Sequence, residues 1–283
     1  METIEKMING DNNTMYMSRD GEVENLARAI ALGMNCLITG ATGCGKTTLV
    51  HYVTEKLNKK VISIQGAEGV VYEQVVGYRD VKSVNGTIQT RWVDGMIPKA
   101  MKQEDTVLYV DEPNALPQGV VFYLFSAMDY RRSIVIADNE GETVNAKPGF
   151  MVIGAMNEGY GYGGTNMLNH AFRDRFDIVI DLATLPRKQE IELLIAKSGI
   201  DKENATLIVS IAEKLREASD NKVISIPIST RTLITWAKLI KLGMSITNSC
   251  EVTLLGRLSS TNKTHKKAIL DIVEAHIAGN NNG

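Results

Sequence analysis

The sequence predicts an α/β fold in which helices flank a parallel β-sheet in an αβα sandwich, with a smaller all-helical domain after it. Short apolar runs without polar alternation recur through the first part of the chain, separated by helical segments. This pattern is typical of strands that are buried on both faces of a parallel sheet. After Pro186 such runs stop, and apolar residues follow a helical period. The length of 283 residues suits about two domains.

Each element of the first domain has a local signal. Apolar residues at helical spacing predict a helix from Glu22 to Leu32, which Gly33 ends. A second helix is expected to begin at Lys46. The predicted strands are Cys36–Thr39, Val61–Ile64, Thr106–Val110, Phe150–Ala155 and Ile178–Ile180. Hairpins are expected around Asn85-Gly86, a strong turn signal, and around the polar loop Asp138–Gly141.

The second domain is predicted to be helical throughout. The expected helices are Glu190–Ser198, Asn204–Ser219, Thr230–Leu242 and Lys266–Ile277. Gly199, Gly243 and Gly279 follow three of them, as residues that end helices often do. We therefore expect an N-terminal arm over residues 1–20, an αβα domain over residues 21–185 and a helical domain over residues 186–283.

Composition and charge argue against several classes of protein. Hydrophobic residues make up 44% and charged residues 23% of the chain, so disorder is not expected. Three scattered cysteines and four scattered histidines form no disulfide or zinc pattern. No apolar run approaches the length of about 18 residues that spans a bilayer, so we expect a cytoplasmic protein without membrane insertion. The net charge of −2 argues against nucleic acid as the main partner.

The strongest chemical signal is a glycine-rich run between the first predicted strand and the helix that begins at Lys46. The run consists of Gly40, Ala41, Thr42, Gly43, Cys44, Gly45, Lys46 and Thr47, followed by Thr48, and matches the P-loop pattern. Its glycines let backbone N–H groups wrap a phosphate chain at a helix N-terminus. We expect Lys46 to reach the β- and γ-phosphates of ATP and the Thr47 hydroxyl to ligate Mg²⁺. A glycine turn without function would not explain the strand before it and the helix after it.

Two later strands end in polar residues that complement a P-loop. Asp111 and Glu112 follow the strand Thr106–Val110. Asp111 is expected to hold the Mg²⁺ shell, and Glu112 to polarise the attacking water as a general base. Asn157 ends the next strand, where its amide can orient that water, although an asparagine after a strand is often only a turn former. The acidic pair favours ATP hydrolysis over switch-type GTP binding.

Together these motifs resemble AAA+ ATPases. In chain order they are Gly40–Thr47, Asp111-Glu112, Asn157, Arg175-Phe176 and Ser229-Thr230-Arg231. The runs Trp92–Ala100, Ala127–Arg132, Pro148–Asn157 and Leu168–Phe176 resemble the MoxR-type branch more closely. That branch includes the rubisco-activase-like CbbQ, the nitric-oxide-reductase accessory NorQ and the gas-vesicle protein GvpN. The resemblance covers roughly residues 20–245.

The resemblance implies roles that the residues alone do not establish. Asn157 matches the γ-phosphate sensor of the family, and Arg175 matches the arginine finger that enters a neighbouring subunit's site, with Arg173 as the alternative. Arg231 matches the arginine of the helical lid, acting in cis or in trans. The two hairpins match inserts that project toward the pore or face of a ring. The family further implies a homo-oligomer, most often a hexameric ring, that uses ATP and Mg²⁺ to remodel a protein client. A separate integrin-like (VWA) domain protein is the expected partner.

Some features depart from the family pattern, and other functions stay open. Cys44 stands where Thr or Ser is commoner, and Pro113 follows the acidic pair where the branch usually has an aliphatic residue. The alternatives are a nucleic-acid-associated motor, a chelatase-type motor subunit and a ring or switch that binds nucleotide without hydrolysis. The intact set of Glu112, Asn157 and Arg175 argues against the last of these.

Overall fold

The structure, a computed structural model, describes residues 16–84, 87–157, 170–258 and 262–280. The chain divides into two compact units. The first contains the described residues up to Gly40 together with Gly45–Leu182, and the second contains Ala41–Cys44 and the described residues from Ala183 onward. The strands are β1 Cys36–Gly40, β2 Lys60–Gln65, β3 Gly77–Val84, β4 Thr87–Asp94, β5 Thr106–Asp111, β6 Ser133–Ile136, β7 Glu142–Asn145, β8 Met151–Asn157 and β9 Ile178–Leu182.

Among the described residues the first unit has six α-helices, and the second unit has five, which pack against one another. In the first unit they are α1 Glu22–Leu32, α2 Lys46–Lys56, α3 Tyr72–Val75, α4 Met96–Met101, α5 Gln118–Met128 and α6 His170–Arg173. In the second unit they are α7 Arg187–Ser198, α8 Lys202–Asp220, α9 Thr230–Lys241, α10 Ile246–Thr253 and α11 Lys263–Asn280. The predicted α/β fold with a helical C-terminal region is confirmed.

The main sheet brings the predicted motifs to one edge. It has five parallel strands in the order β2-β5-β8-β1-β9. In this register Gly40 of β1 pairs with Asn157 of β8, and Asp111 of β5 pairs with Ala155 of β8. Because the strands are parallel, the residues that follow β1, β5 and β8 all emerge at the carboxyl edge, where open α/β sheets bind ligands.

The prediction that all five strands are buried on both faces is wrong for the two edge strands. The central strands β1, β5 and β8 are buried along nearly their whole length. In β2, Ile64 is buried whereas Ser63 is exposed, and in β9 the exposed Val179 precedes the buried Ile180. An edge strand has a neighbouring strand on one side only, so more of its side chains remain exposed to solvent.

Both predicted hairpins are present beside the main sheet. Strands β3 and β4 form one antiparallel ribbon, and β6 and β7 form a shorter one. Residues 85–86, at the predicted Asn-Gly turn, lie outside the described residues. The side chain of Arg79 in β3 donates a hydrogen bond of 3.1 Å to the carbonyl oxygen of Asp138, so it joins the first hairpin to the turn of the second.

Each unit has its own apolar core. In the first unit the fully buried side chains include Leu37, Ile97, Met101, Leu108 and Phe150. In the second unit Trp236 of α9 is fully buried and its indole N–H donates to Ser249 in α10 at 2.9 Å. No helix within the described ranges combines the length and apolar character that crossing a membrane would require.

The helical unit differs from its predicted outline in two places. Helix α10 was not predicted, because its sequence is short and mostly polar. Helix α11 continues through Gly279 to Asn280, so the prediction that Gly279 ends this helix is wrong. By contrast, Gly199 ends α7 with a left-handed φ of 69°, as predicted.

Candidate nucleotide site

The P-loop, residues 40–47, leaves β1 and enters α2 through three glycines with positive φ. Gly40, Gly43 and Gly45 have φ angles of 144°, 73° and 103°, a region that other residues rarely adopt. Helix α2 then begins at Lys46, so its first backbone N–H groups have no partners within the helix. Such an N-terminus favours a bound anion. Cys44 is buried in this loop, whereas Thr47 and Thr48 are exposed on the first turn of α2.

Lys46 turns back over the loop toward the end of β8. Its ammonium group is buried, donating 2.9 Å to the carbonyl oxygen of Gly40 and 2.7 Å to the side-chain oxygen of Asn157. A buried ammonium needs such partners, because burial without them disfavours its charge. The structure therefore brings together the lysine and the asparagine that the sequence predicted separately.

Asn157 also contacts Glu112. Its backbone N–H donates to the Glu112 carboxylate at 3.2 Å, and its side-chain amide nitrogen donates to the same oxygen. Glu112 itself has a φ of 53°, in the left-handed region that a non-glycine residue seldom adopts. Such backbone strain is common at functional sites. Lys46, Asn157 and Glu112 therefore form one continuous hydrogen-bonded group.

The environment of Glu112 favours its protonated form. Burial is the main cause that raises the pKa of this carboxyl, and the nearby charge of Asp111 adds to the effect. The hydrogen bonds from Asn157 and the charge of Lys46 act in the opposite direction. A raised pKa makes a carboxylate a stronger base when it is ionised, which suits a general base.

A tyrosine that the sequence analysis did not single out contacts the predicted magnesium ligand. The hydroxyl groups of Tyr109 and Thr47 lie 3.0 Å apart. Tyr109 is buried in β5 two residues before Asp111, so the two side chains point to the same face of the strand. Burial raises the pKa of Tyr109, and Asp111 contributes to the increase. Tyr109 thus lies beside both predicted ligands.

The oxygen donors present fit a magnesium ion held jointly with a nucleotide. In the part of the chain that the structure describes, no cluster of three or more His, Cys, Asp or Glu side chains could hold a metal by itself. Mg²⁺ is usually held by one or two protein oxygens, waters and substrate phosphates. The Thr47 hydroxyl and the Asp111 carboxylate are donors of this kind.

Gly66 is a second residue that the sequence analysis missed. Its backbone N–H donates to the carbonyl oxygen of Asp111 at 2.6 Å. A Cβ atom at this position would lie 1.9 Å from the carbonyl oxygen of Glu112. Only glycine therefore lets the chain after β2 pass this close to the acidic pair. The spacing of Gly66 from Asp111 gives no sequence signal, since the contact is between neighbouring strands.

In the second unit, Arg231 occupies the exposed first turn of α9. Ser229 caps this helix, accepting a hydrogen bond from the backbone N–H of Thr232. Gly43, which belongs to this unit, lies close to the cap. A Cβ atom added at Gly43 would lie 2.8 Å from the Cβ atom of Ser229 and 3.5 Å from the Cβ atom of Arg231. Gly43 is thus required for this approach as well as for its φ.

A buried ion pair holds the start of α9. Glu190 of α7 is almost fully buried and accepts two hydrogen bonds of 2.8 Å from the guanidinium of Arg216. Its carboxylate also accepts from the Thr230 hydroxyl at 2.7 Å. Arg216 in turn donates to the carbonyl oxygen of Ile228. These bonds satisfy the buried charges and fix the backbone on both sides of the cap that precedes Arg231.

The two candidate finger arginines lie at the end of α6 and just after it. Arg173 is exposed, whereas Arg175 is half-buried with its guanidinium 4.2 Å from the ring centre of Phe125. The backbone carbonyl of Arg175 accepts a hydrogen bond of 3.3 Å from the side chain of Asn35. Arg175 is therefore held against α5 and the start of β1.

The fold and this group of residues define a P-loop nucleotide-binding protein of the AAA+ class. Residues 35–176 match the AAA domain of the dynein-related subfamily, and residues 190–276 match the CbbQ/NirQ/NorQ C-terminal domain. The chain belongs to the MoxR-type AAA+ ATPases of the CbbQ/NirQ/NorQ group. The family resemblance predicted from the sequence is confirmed.

Individual relatives agree with this membership. A protein of Staphylococcus saprophyticus is 32% identical over 93% of this chain and 98% of its own length. The denitrification regulatory protein NirQ of Pseudomonas aeruginosa is 30% identical over 95% of this chain and 99% of its own length. Among solved structures, the Holliday junction branch migration motor RuvB of Thermotoga maritima has a TM-score of 0.54 and 18% identity, covering 87% of this chain and 73% of that one. This last likeness concerns the fold alone.

Proposed function

We propose that this chain is an ATP-hydrolysing ring motor that remodels or activates a protein client. The observation that carries the proposal is the continuous hydrogen-bonded group of Lys46, Asn157 and Glu112 at the carboxyl edge of the sheet. In this group Lys46 supplies a cation to bind the phosphates, and Glu112 supplies a carboxylate to accept a proton from water. The amide of Asn157 contacts both side chains. Phosphoryl transfer to water needs a phosphate-binding cation, a base and a group that positions them within a few ångströms of each other.

Each side chain then has one task. The P-loop backbone and Lys46 bind the β- and γ-phosphates, while Glu112 takes the proton of the attacking water. Asn157 keeps the carboxylate and the ammonium group in place. Thr47 and Asp111 would hold Mg²⁺, which neutralises charge on the phosphates in sites of this class.

We further propose that the active form is a ring, most simply a hexamer, in which Arg175 completes a neighbour's site. Arginine fingers stabilise the charge that develops on the transferred phosphoryl group. Arg231 on the lid is the second arginine that we assign to the nucleotide, in cis or in trans. Its place in the first turn of a capped helix supports a fixed backbone for this side chain.

The partner assignment rests on family membership and charge. A net charge of −2 favours a protein client over nucleic acid. One relative is named as a regulatory protein, and we propose that this chain likewise acts on another protein, together with a separate VWA-domain partner. The three cysteines are all buried thiols, which supports a reducing compartment such as the cytoplasm. A chelatase-type subunit is one alternative, and a nucleic-acid motor is a second, which the experiment below also addresses.

The test compares two variants in one phosphate-release assay, with nucleotide binding measured separately. Glu112→Gln should retain ATP binding and lose turnover by about 10²–10⁴-fold, because it removes the base. Lys46→Ala should instead weaken binding itself. Normal turnover in Glu112→Gln, or tight binding in Lys46→Ala, would contradict the proposal. Adding DNA distinguishes the motor types, because salt-sensitive stimulation by DNA would favour the nucleic-acid alternative.

A further inference from the structure

The guanidinium of Arg175, a half-buried residue, lies over an aromatic ring. It lies 4.2 Å from the ring centre of Phe125, well inside the range of about 6 Å at which a cation is attracted to an aromatic face. A contact of this kind attracts the charge of the guanidinium to the electron-rich face of the ring. The planar guanidinium suits phosphate recognition, because it can donate two parallel hydrogen bonds to phosphate oxygens.

The ring of Phe125 is itself held by a run of aromatic contacts. Its centre lies 5.1 Å from that of Phe172 and 6.0 Å from that of Phe122, which meets it edge to face. Phe172 is buried and packs on Phe176 at 5.4 Å. A ring with neighbours on two sides has few alternative orientations, so its face stays turned toward Arg175.

The backbone of Arg175 is fixed by a separate contact. The side chain of Asn35 is 2% exposed and donates to the carbonyl oxygens of Met128 at 3.1 Å and Arg175 at 3.3 Å. Its side-chain oxygen accepts from the backbone N–H of Val152 at 3.1 Å. One buried amide thus ties the end of α5, the strand β8 and the backbone of Arg175 to a common point.

We propose that Phe125 is a positioning residue for the finger Arg175. Asn35 anchors the backbone of Arg175, and the contact with the Phe125 ring restricts the conformations that the long side chain can adopt. Less conformational entropy is then lost when the arginine engages a phosphate. This inference rests on the proposed function, since it assumes that Arg175 acts in a neighbour's site.

The test uses three variants of the full-length protein. Phe125→Leu keeps an apolar side chain but removes the aromatic face, so kcat should fall by about 2- to 30-fold while nucleotide affinity is unchanged. Phe125→Tyr keeps the face and should restore kcat. Tyr130→Leu is the control, because it removes an exposed aromatic side chain just after the same helix and should leave kcat within about 2-fold. Thermal unfolding and ring assembly are measured for each variant, and Phe125→Met replaces Phe125→Leu if the latter does not assemble.

Mixed rings show whether the defect lies in the finger that a subunit donates. Phe125→Leu protein mixed with Glu112→Gln protein should exceed the summed activity of the two alone, because Glu112→Gln subunits donate intact fingers. Phe125→Leu mixed with Arg175→Ala should give no such gain. Unchanged or increased kcat in Phe125→Leu, or equal kcat for the Leu and Tyr variants, would overturn the proposal. If Arg175→Ala itself keeps full activity, Arg175 is not the finger. This result distinguishes failure of the proposed function from failure of the role proposed for Phe125 alone.

Discussion

The ammonium group of Lys46 donates a hydrogen bond of 2.7 Å to the side-chain oxygen of Asn157, although 110 residues separate them in the chain. The sheet register explains the contact, because Gly40 at the end of β1 pairs directly with Asn157 at the end of β8. Asn157 also donates to Glu112. It therefore lies between Lys46, which we assign to binding the phosphates, and Glu112, which we assign to activating the water.

Replacing Asn157 by alanine should reduce turnover more than it reduces nucleotide affinity. The variant removes hydrogen bonds to two charged groups, each worth about 1.5–3 kcal/mol, and loss of one such bond in the transition state lowers kcat by about 10- to 150-fold. Steady-state kinetics together with nucleotide binding separate the two effects. The exposed Asn145 provides the control, and Asn145→Ala should behave as the parent protein does. Full turnover in Asn157→Ala would contradict the assigned role.

Tyr109→Phe should weaken magnesium-dependent nucleotide binding. The variant removes the hydroxyl that contacts Thr47 and lies beside Asp111. A neutral hydrogen bond of this kind contributes about 0.5–1.5 kcal/mol, which corresponds to about 2- to 12-fold in affinity. The measurement is nucleotide affinity titrated with and without Mg²⁺. Tyr123→Phe, in α5, is the matched control, and equal affinity in both variants would refute the positioning of Thr47 by Tyr109.

Glu112→Gln should raise the stability of the nucleotide-free protein at neutral pH but not at acid pH. Because burial raises the pKa of Glu112 above its ordinary value of 4.5, ionised Glu112 destabilises the folded state. That destabilisation is absent below 4.5, appears as pH rises toward the folded pKa and is complete above it. Thermal unfolding of the variant and the parent should therefore differ at about pH 8 and converge at about pH 4.

Asp105→Asn serves as a control, because at neutral pH it should change the folding stability in the opposite direction to Glu112→Gln. Lys59 holds the pKa of this exposed carboxyl below its ordinary value, so the ionised form stabilises the fold. That contribution is present above the ordinary pKa and is lost as pH falls through the lowered one. Asp105→Asn should thus lose a little stability at neutral pH. A loss of stability in Glu112→Gln across the whole pH range would contradict the environment described for Glu112.

Gly66→Ala should destabilise the fold, because the added Cβ would meet the backbone of Glu112 rather than a side chain that can move. Overpacking of this kind costs about 1–3 kcal/mol of unfolding free energy. Gly69 lies in the same loop with nothing within 4 Å of a Cβ atom, so Gly69→Ala should stay within about 0.5 kcal/mol of the parent. Chemical denaturation measures both. Equal stabilities would mean that the chain passes Glu112 less closely than described.

The sequence predicts the strands and the P-loop well because their signals are local. Each central strand is a continuous apolar run, and the glycines of the P-loop are spaced by the needs of one short turn. The order of the strands is not local information. For this reason β2 and β9 were predicted to be buried on both faces, although their places at the sheet edges leave Ser63 and Val179 exposed.

The residues that support the site could not be predicted, since their contacts join distant parts of the chain. Asn35 resembles an ordinary turn residue until β8 and α5 are packed beside it. Phe125 is one apolar residue in a helix that is apolar on most sides. Glu190 and Arg216 carry no motif, and only the packing of α7 against α8 reveals that they form a buried pair.

The central claim, a site completed by the neighbouring subunit, is tested most directly by mixing two inactive variants. Arg175→Ala keeps its own Lys46 and Glu112, whereas Glu112→Gln keeps its finger, and a finger is worth about 10³–10⁵ in rate. In mixed rings, confirmed by differential tagging, an Arg175→Ala subunit beside a Glu112→Gln neighbour has one complete site. Phosphate release should therefore partly return on mixing. If no mixing ratio restores turnover, Arg175 does not act in trans, and the search for the finger moves to Arg173.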